Sequence, residues 1–214
     1  WSFEDPAFRL DVINAAMVAI LLPMLSLGSM RLSSLRRKLR AERSALAGAL
    51  LEVQRLATHD ELTGLANRRD MQHRLDTERA RFERFGHPFS VAVIDLDHFK
   101  RINDAYGHAG GDEVLRSFAE AASRMLRATD VLGRWGGEEF LLLMPETRSA
   151  AAGCSVERVL SKVMAVPEED GPAVSFSAGV VEYRAGETVD QVVARADAAM
   201  YAAKRAGRGR VVRA

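Results

Sequence analysis

The residues in this sequence best suited to chemistry are acids at the ends of apolar runs. Asp95 closes the β-branched stretch "FSVAVID", and Glu138 and Glu139 stand between "VLGRWGG" and "FLLLMP". Adjacent glutamates beside an apolar core repel each other, and several carboxylates at one sheet edge cannot all ionise without a compensating cation. Oxygen ligands with no His or Cys beside them suit Mg2+, which takes a few carboxylates and completes its shell with water and substrate phosphates. Solvated acids at a loop tip are the alternative. Gly136-Gly137, just before the glutamates, is a hairpin signal, because tight primed turns need positive φ. Asp97 is assigned to bracing the turn after the strand and stays outside the ligand set.

For these three acids to meet, the surrounding elements must bring them together. The stretch 67–86 has helical period and stops at Gly86, a suitable C-terminal residue. Residues 89–97 read as a buried strand and 111–126 as an amphipathic helix. "VLGRW" and "FLLLMP" are two strands joined by the glycine turn, 149–165 is helix, 173–183 strand and 188–206 helix. From residue 89 the order is βαββαβ with a closing helix, an α/β (α+β) domain of the split βαβ kind. In that topology the first two strands run parallel and the third lies between them, antiparallel to both. The end of the first strand then adjoins the start of the third, which places Asp95, Glu138 and Glu139 side by side.

The chain has 214 residues, 48% hydrophobic and 28% charged, enough for one good core with appendages. A net charge of +1 argues against a nucleic-acid partner. Cys154 is the only cysteine, which excludes an intrachain disulfide and a cysteine-built zinc site and fits a reducing compartment. The first residue is Trp1, so the expectation is a piece of a longer protein. After a flank at 1–11, residues 12–30 carry no charge, close to the ~20 residues that cross a bilayer as a helix. The alternative is a buried soluble helix. Arg31, Arg36, Arg37, Lys38 and Arg40 follow with no acid until Glu42, which places the downstream part in the cytoplasm. Between 31 and 56, Leu32, Leu35, Leu39, Glu42, Leu46, Ala49, Val53 and Leu56 alternate at spacings of three and four. That is the seam of a short parallel coiled coil, weakened by Glu42. One amphipathic helix lying on its own domain is the alternative.

At 57–211 the chain resembles the GGDEF-domain diguanylate cyclases. The name motif appears as GGEEF at Gly136–Phe140, with "DELTGLANRR" at 60–69, "DLDHFKRINDAYGHAGGDEVL" at 95–115 and "MYAAKRAGRGRV" at 200–211. The resemblance implies a palm-like nucleotidyl cyclase domain from 57 to 214 that joins two GTP into cyclic di-GMP and releases two pyrophosphates. It implies Mg2+, with Mn2+ as the alternative, held by Asp95, the Leu96 carbonyl, Glu138 and Glu139. Glu138 would also draw the proton from the 3′-hydroxyl. Asn103 and Asp112 match the guanine readers, and a carboxylate suits the donors of guanine. Read without the motif, Asp112 is a helix N-cap. Lys100, Lys204 and Arg208 would neutralise the triphosphate, with N–H groups of His98 and Phe99 beside it. Gly136 and Gly137 would leave room for the nucleotide, and 62–69 would shape the wall behind the base.

The same resemblance implies an inhibitory product site. "RATD", Arg127 to Asp130, matches its R-x-x-D motif, and Arg158 matches a further product-binding arginine, while Cys154 stands where another is common. An ordinary surface pair is the alternative for Arg127 and Asp130. The implied setting is a bacterial inner membrane, with a homodimer bringing two GTP-loaded domains face to face. A catalytically inactive receptor for GTP or cyclic di-GMP, a single-nucleotide cyclase and a membrane scaffold are the competing functions. Such receptors usually lose the signature acids or glycines, and this sequence keeps them.

Overall fold

The computed structural model describes residues 6–164 and 174–214. The chain divides into two units, the first ending at Gln54 and the second running from Arg55 to Ala214. Helix α1 (Pro6–Thr58) makes up nearly all of the first and continues through Pro23. Its stretch Arg9–Leu27 is 19 residues long, with mean hydropathy 2.0 and no buried residue. That apolar segment begins three residues earlier than the uncharged run suggests. Of the expected seam, Leu39, Leu46 and Leu56 are exposed. The side chains of Leu32, Leu35 and Val53 lie outside the described residues, as do residues 1–5 of the flank and Ala165 and Ala173 at expected element ends.

In the second unit, β1 (Phe89–Leu96) is buried along its whole length, so apolar neighbours must cover both faces of the sheet. They do. Helix α2 (Arg68–Phe85) opens on Asn67, whose side chain accepts from the Asp70 N–H, and closes on Gly86 at φ 71. The "NRR" stretch therefore starts with a helix cap. Met71 and Leu75 of α2 and Val192, Ala196 and Met200 of α5 (Val189–Arg205) pack with Val91, Val93, Leu141 and Val181 on one face. On the other, Phe99, Leu115 and Phe118 of α3 (Phe99–Ser123) and Val156 and Leu160 of α4 (Ser149–Met164) cover Ala92, Ile94, Phe140, Phe176 and Val180.

The strands β2 (Val131–Gly136), β3 (Glu139–Pro145), β4 (Phe176–Glu182) and β5 (Val211–Arg213) complete a sheet of order β2-β3-β1-β4-β5. β3 pairs antiparallel with both β1 and β2, which is the expected split arrangement. Three details differ from the sequence reading. β5, three residues pairing parallel to β4, follows the closing helix and is too short to leave a periodic signal. α3 begins at Phe99 rather than 111 and is interrupted at Gly107, where φ 72 and ψ 175 break the helical run. The hairpin turn is shifted by one: Gly136 already pairs with Glu139, and Gly137 and Glu138 form the loop. Of the two glycines only Gly137 takes positive φ, 52, the demand a II′-type turn makes on its first central residue.

Candidate active site

The register of the sheet brings the expected acids together. Asp95 on β1 faces Glu139 on β3 and Ser177 on β4, and the next N–H, of Leu96, donates to the Glu138 carbonyl at 3.3 Å. Asp95 is 5% exposed. Its Oδ2 accepts from Lys204 Nζ at 2.7 Å, while its Oδ1 is buried without a hydrogen-bond partner. Burial pushes the Asp95 carboxyl above the usual range, and Asp97 and Asp197 add to this against the pull of Lys204. Burial likewise raises Glu138, helped by the charges of Asp95 and Glu139. It raises Glu139 too, with Asp95 and Asp197 contributing. Asp197, on α5, is an acid that the motifs did not single out.

Among the described residues no group of three His, Cys, Asp or Glu side chains is arranged to hold a cation on protein ligands alone. Asp95, Glu138 and Glu139 therefore do not make a closed cage. A divalent cation there would take water or phosphate oxygens to complete its shell. The orphaned oxygen of Asp95, with the raised acids Glu138 and Glu139 beside it, is the donor set such an ion would relieve. Lys204, expected beside a triphosphate, is paired with Asp95 at this end of the sheet.

Asp97 is 4% exposed and braces this end of the sheet. It accepts from Ser177 Oγ at 2.7 Å, Ser175 Oγ at 3.0 Å and the Gly209 N–H at 2.9 Å. The last bond ties the loop carrying Arg208, itself at φ 61, to the end of β1. His98, between Asp97 and α3, holds φ 58, and no side chain caps the helix behind it. The first N–H groups of α3, including Phe99, therefore open on the same end of the sheet, where an anion would be favoured. Lys100 and Arg208 are exposed and form no ion pair among the described residues.

Asn103 lies against the second half of α3. A Cβ on buried Gly111 would come within 1.9 Å of Asn103 Oδ1, so only glycine lets the two helix halves close on each other. Asp112, next to Gly111, is thereby held near Asn103. The helix has resumed well before Asp112, and its side chain accepts no N–H among the described residues. The cap alternative is thus set aside. At Gly136 and Gly137 an added Cβ would meet nothing, so the turn faces open space.

Away from this end, Asp130 Oδ2 accepts from the backbone N–H of Arg127 at 3.0 Å, not from its guanidinium. The exposed Arg127 side chain makes no ion pair with Asp130, which removes the surface-pair alternative. From α4, Arg158 Nη2 donates to the Met125 carbonyl at 3.3 Å, two residues before Arg127. The three residues of the expected product site therefore share one patch.

A split βαβ sheet whose strand-end acids adjoin a glycine turn and an uncapped helix has the form of a palm-like nucleotidyl cyclase domain. Residues 57–210 match the family described as diguanylate cyclase, GGDEF domain. The chain belongs to that family. It is 43% identical over 165 residues to the diguanylate cyclase DgcP of Pseudomonas aeruginosa, covering 75% of this chain and 25% of DgcP. The chain spans 25% to 40% of the length of the curated relatives it matches. Among solved structures, it resembles the coiled coil and GGDEF domain of DgcB from Caulobacter crescentus in complex with c-di-GMP. There the TM-score is 0.79 at 35% identity, covering 86% of this chain and 99% of that one. The diguanylate cyclase SiaD with its activator SiaC, from Pseudomonas aeruginosa, gives TM-score 0.73 at 39% identity, over 97% of this chain and 84% of that one.

Proposed function

We propose that this chain condenses two GTP into cyclic di-GMP, each domain of a homodimer presenting one nucleotide to the other. The observation that carries this reading is Asp95, buried with one unpartnered oxygen beside Glu138, Glu139 and Lys204. Asp112 accepts from guanine N1–H and its exocyclic amine, and Asn103 meets the base edge beside it. The open Gly136-Gly137 turn admits the nucleotide, and the first N–H groups of α3 with Lys100, Lys204 and Arg208 take the phosphates. A divalent cation at Asp95, the Leu96 carbonyl, Glu138 and Glu139, Mg2+ with Mn2+ as the alternative, supplies Lewis-acid polarisation when bound. Glu138 takes the proton of the attacking 3′-hydroxyl. Each 3′-oxygen forms a bond to the α-phosphorus of the other GTP as the bond to pyrophosphate breaks, so two pyrophosphates leave.

The apolar stretch of α1 anchors the protein in the inner membrane of a bacterium, with the domain in the cytoplasm. The helix beyond it pairs two copies in parallel. Arg127, Asp130 and Arg158 form an exposed patch for the product, which slows the enzyme as it accumulates. The deciding experiment incubates the full chain in detergent with GTP and Mg2+ and separates nucleotides by chromatography. Cyclic di-GMP with two equivalents of pyrophosphate is expected; tight binding of GTP or cyclic di-GMP without turnover would make the chain a receptor.

A further inference from the structure

One side chain ties the glycine turn to a distant part of the chain. Arg134, two residues before Gly136, donates from Nε and Nη2 to the Gly137 carbonyl at 3.0 and 2.8 Å. Its third nitrogen, Nη1, reaches both oxygens of Asp60 at 3.3 and 3.2 Å. The two side chains are only 17% and 22% exposed. Asp60 is itself held in a turn, where its Oδ1 accepts from the Thr63 N–H at 2.9 Å and the Thr63 hydroxyl at 2.7 Å. A planar guanidinium bonded along both edges fixes its partners in angle as well as distance, which a lysine could not do.

The chain around Asp60 is fastened to the same place by its backbone. The Arg134 N–H donates to the Ala66 carbonyl at 2.9 Å, and the Asn67 N–H to the Thr58 carbonyl, the last residue of α1, at 2.9 Å. Gly133 lies so close that a Cβ would meet Met71 and the Ala66 carbonyl, at 2.2 and 2.9 Å. Above this, the Arg68 guanidinium lies over the Trp135 ring, 4.8 Å from its centroid. The stretch leaving α1 and the strand leading into the turn thus form one clamped unit, and among the described residues Arg134 is the side chain that carries the clamp on to the turn itself. At Gly137 nothing lies within 4 Å of an added Cβ, so side-chain packing does not hold that residue of the loop.

We propose that Arg134 is a positioning residue which, anchored on Asp60 at the exit of α1, holds the Gly137 carbonyl so that Glu138 and Glu139 stay aimed at Asp95. The consequence is specific. The clamp acts on the turn and not on the residues that read the base, so its loss lowers turnover and leaves GTP affinity alone. It also couples the turn to the chain just after α1, which makes Asp60 the point where displacement of that helix end would reach the reacting carboxylates. This inference rests on the cyclase reading for its kinetic part, and on geometry alone for the rest.

The test uses the full chain in detergent, with Arg134→Lys, Asp60→Asn and the double variant. Each single change should lower kcat about tenfold or more, since small misplacements of reacting groups are costly, while KM for GTP stays within about twofold. The double variant should be little worse than the worse single, because both break one linkage. Hydrogen exchange by mass spectrometry should show peptides covering 134–140 losing protection in all three. Full kcat in Asp60→Asn, a rise in KM with kcat unchanged, or losses that multiply in the double variant would overturn the proposal. If Arg134→Lys fails to fold, Asp60→Asn decides by the same criteria, since it leaves both bonds to Gly137 available. A parent that makes no cyclic di-GMP overturns the cyclase reading alone; the exchange at 134–140 then decides the clamp, and unchanged protection in Asp60→Asn sinks it.

Discussion

Acids gather at both ends of the sheet around β1 and β4, on opposite terms. At one end Asp95, Glu138 and Glu139 are raised, chiefly by burial and then by nearby carboxylates, Asp95 acting on both glutamates and Asp97 and Asp197 on Asp95, and Asp95 keeps an oxygen without a partner. At the other end, Glu187 takes both Arg195 Nε at 2.7 Å and Arg195 Nη2 at 2.8 Å, with the Arg184 N–H on the same carboxylate. Glu83 accepts from the Tyr183 hydroxyl at 2.8 Å. Burial raises Glu187, but Arg195 and the Arg184 N–H outweigh it and leave the group below its ordinary range. Tyr183 pays the reciprocal cost: burial and Glu83 push its phenol up to about 12. Apart from Arg195 Nη1, which is buried without a partner, that end is satisfied and stabilises the fold. The unsatisfied end holds destabilising charge that a bound cation and nucleotide would relieve, as functional sites commonly do.

The largest effect expected of this contrast comes from Glu138→Gln. It keeps size and removes a charge that burial and the charge of Asp95 disfavour. Turnover should fall by about 10²-fold or more, as when one preorganised electrostatic contact is lost. The melting temperature of the ligand-free variant should stay level or rise, because the repulsion with Asp95 and Glu139 is gone. Chromatographic turnover and a thermal melt on one preparation check both halves; a variant that turns over normally removes Glu138 from the chemistry.

At the satisfied end the same substitution should do the reverse. Glu187→Gln leaves Arg195, 22% exposed, without its charged partner, and stability should fall by about 1–3 kcal/mol, the cost of stranding a part-buried donor. Turnover per folded molecule should be unchanged. Urea unfolding and an assay normalised to folded protein decide it, and a loss of turnover without a loss of stability would break the comparison.

Why the first end was readable in sequence and the second was not follows from the kind of signal each leaves. Long apolar strands bounded by acids and glycines fix a strand order, and the order sets Asp95 opposite Glu139. The network of Glu83, Tyr183, Glu187 and Arg195 joins residues scattered over α2, α5 and the loop between β4 and α5, and no local pattern announces it. The same holds for Lys204 on Asp95 and for Arg134 on Asp60. Arg134 stands three residues before Gly137, and that spacing is the one local signal of its contact with the turn. The first half of α3 was hidden because Gly107 interrupts its period, and β5 because three residues cannot show alternation. The turn was misplaced by one since two adjacent glycines do not reveal which of them takes positive φ.

A smaller effect should appear in the pH dependence of stability. An acid whose pKa is higher folded than unfolded keeps its proton in the native state after the unfolded chain has lost it. The native state then binds more protons, so stability falls as pH rises through the window between the two values. That window opens at 3.8 for Asp95 and 4.5 for Glu138 and Glu139 and extends upward. Glu187 runs the other way: its contribution is present above 4.5 and is lost as pH falls through its lowered folded value. The ligand-free chain should therefore lose stability on both sides. Glu139→Gln should flatten the decline above about pH 4.5 and leave the acid side as it was, and Mg2+ with a non-hydrolysable GTP analogue should do the same to the parent. Melting curves across pH test it; equal slopes in parent and variant would mean that Glu139 is not held in its raised state.

The smallest effect on stability and initial rate should come from Arg127→Ala, which is what makes it informative. Asp130 holds the backbone N–H of Arg127, so the turn at 127–130 survives removal of the guanidinium. The side chain is exposed, and the patch it shares with Arg158 is distinct from the carboxylates and from the turn at Gly137. Melting temperature and the first minutes of turnover should match the parent. A difference should emerge only as product accumulates, when the parent slows and the variant does not, because a guanidinium facing solvent is free to grip phosphate or stack on guanine. Cys154, where a further arginine could have added a contact, sits exposed on α4 and contributes no charge, so the slowing in the parent should be partial. Calorimetry with cyclic di-GMP isolates the patch from catalysis. If both proteins bind it equally, the patch has no part in regulation, and the inhibitory half of the reading falls while the cyclase half stands.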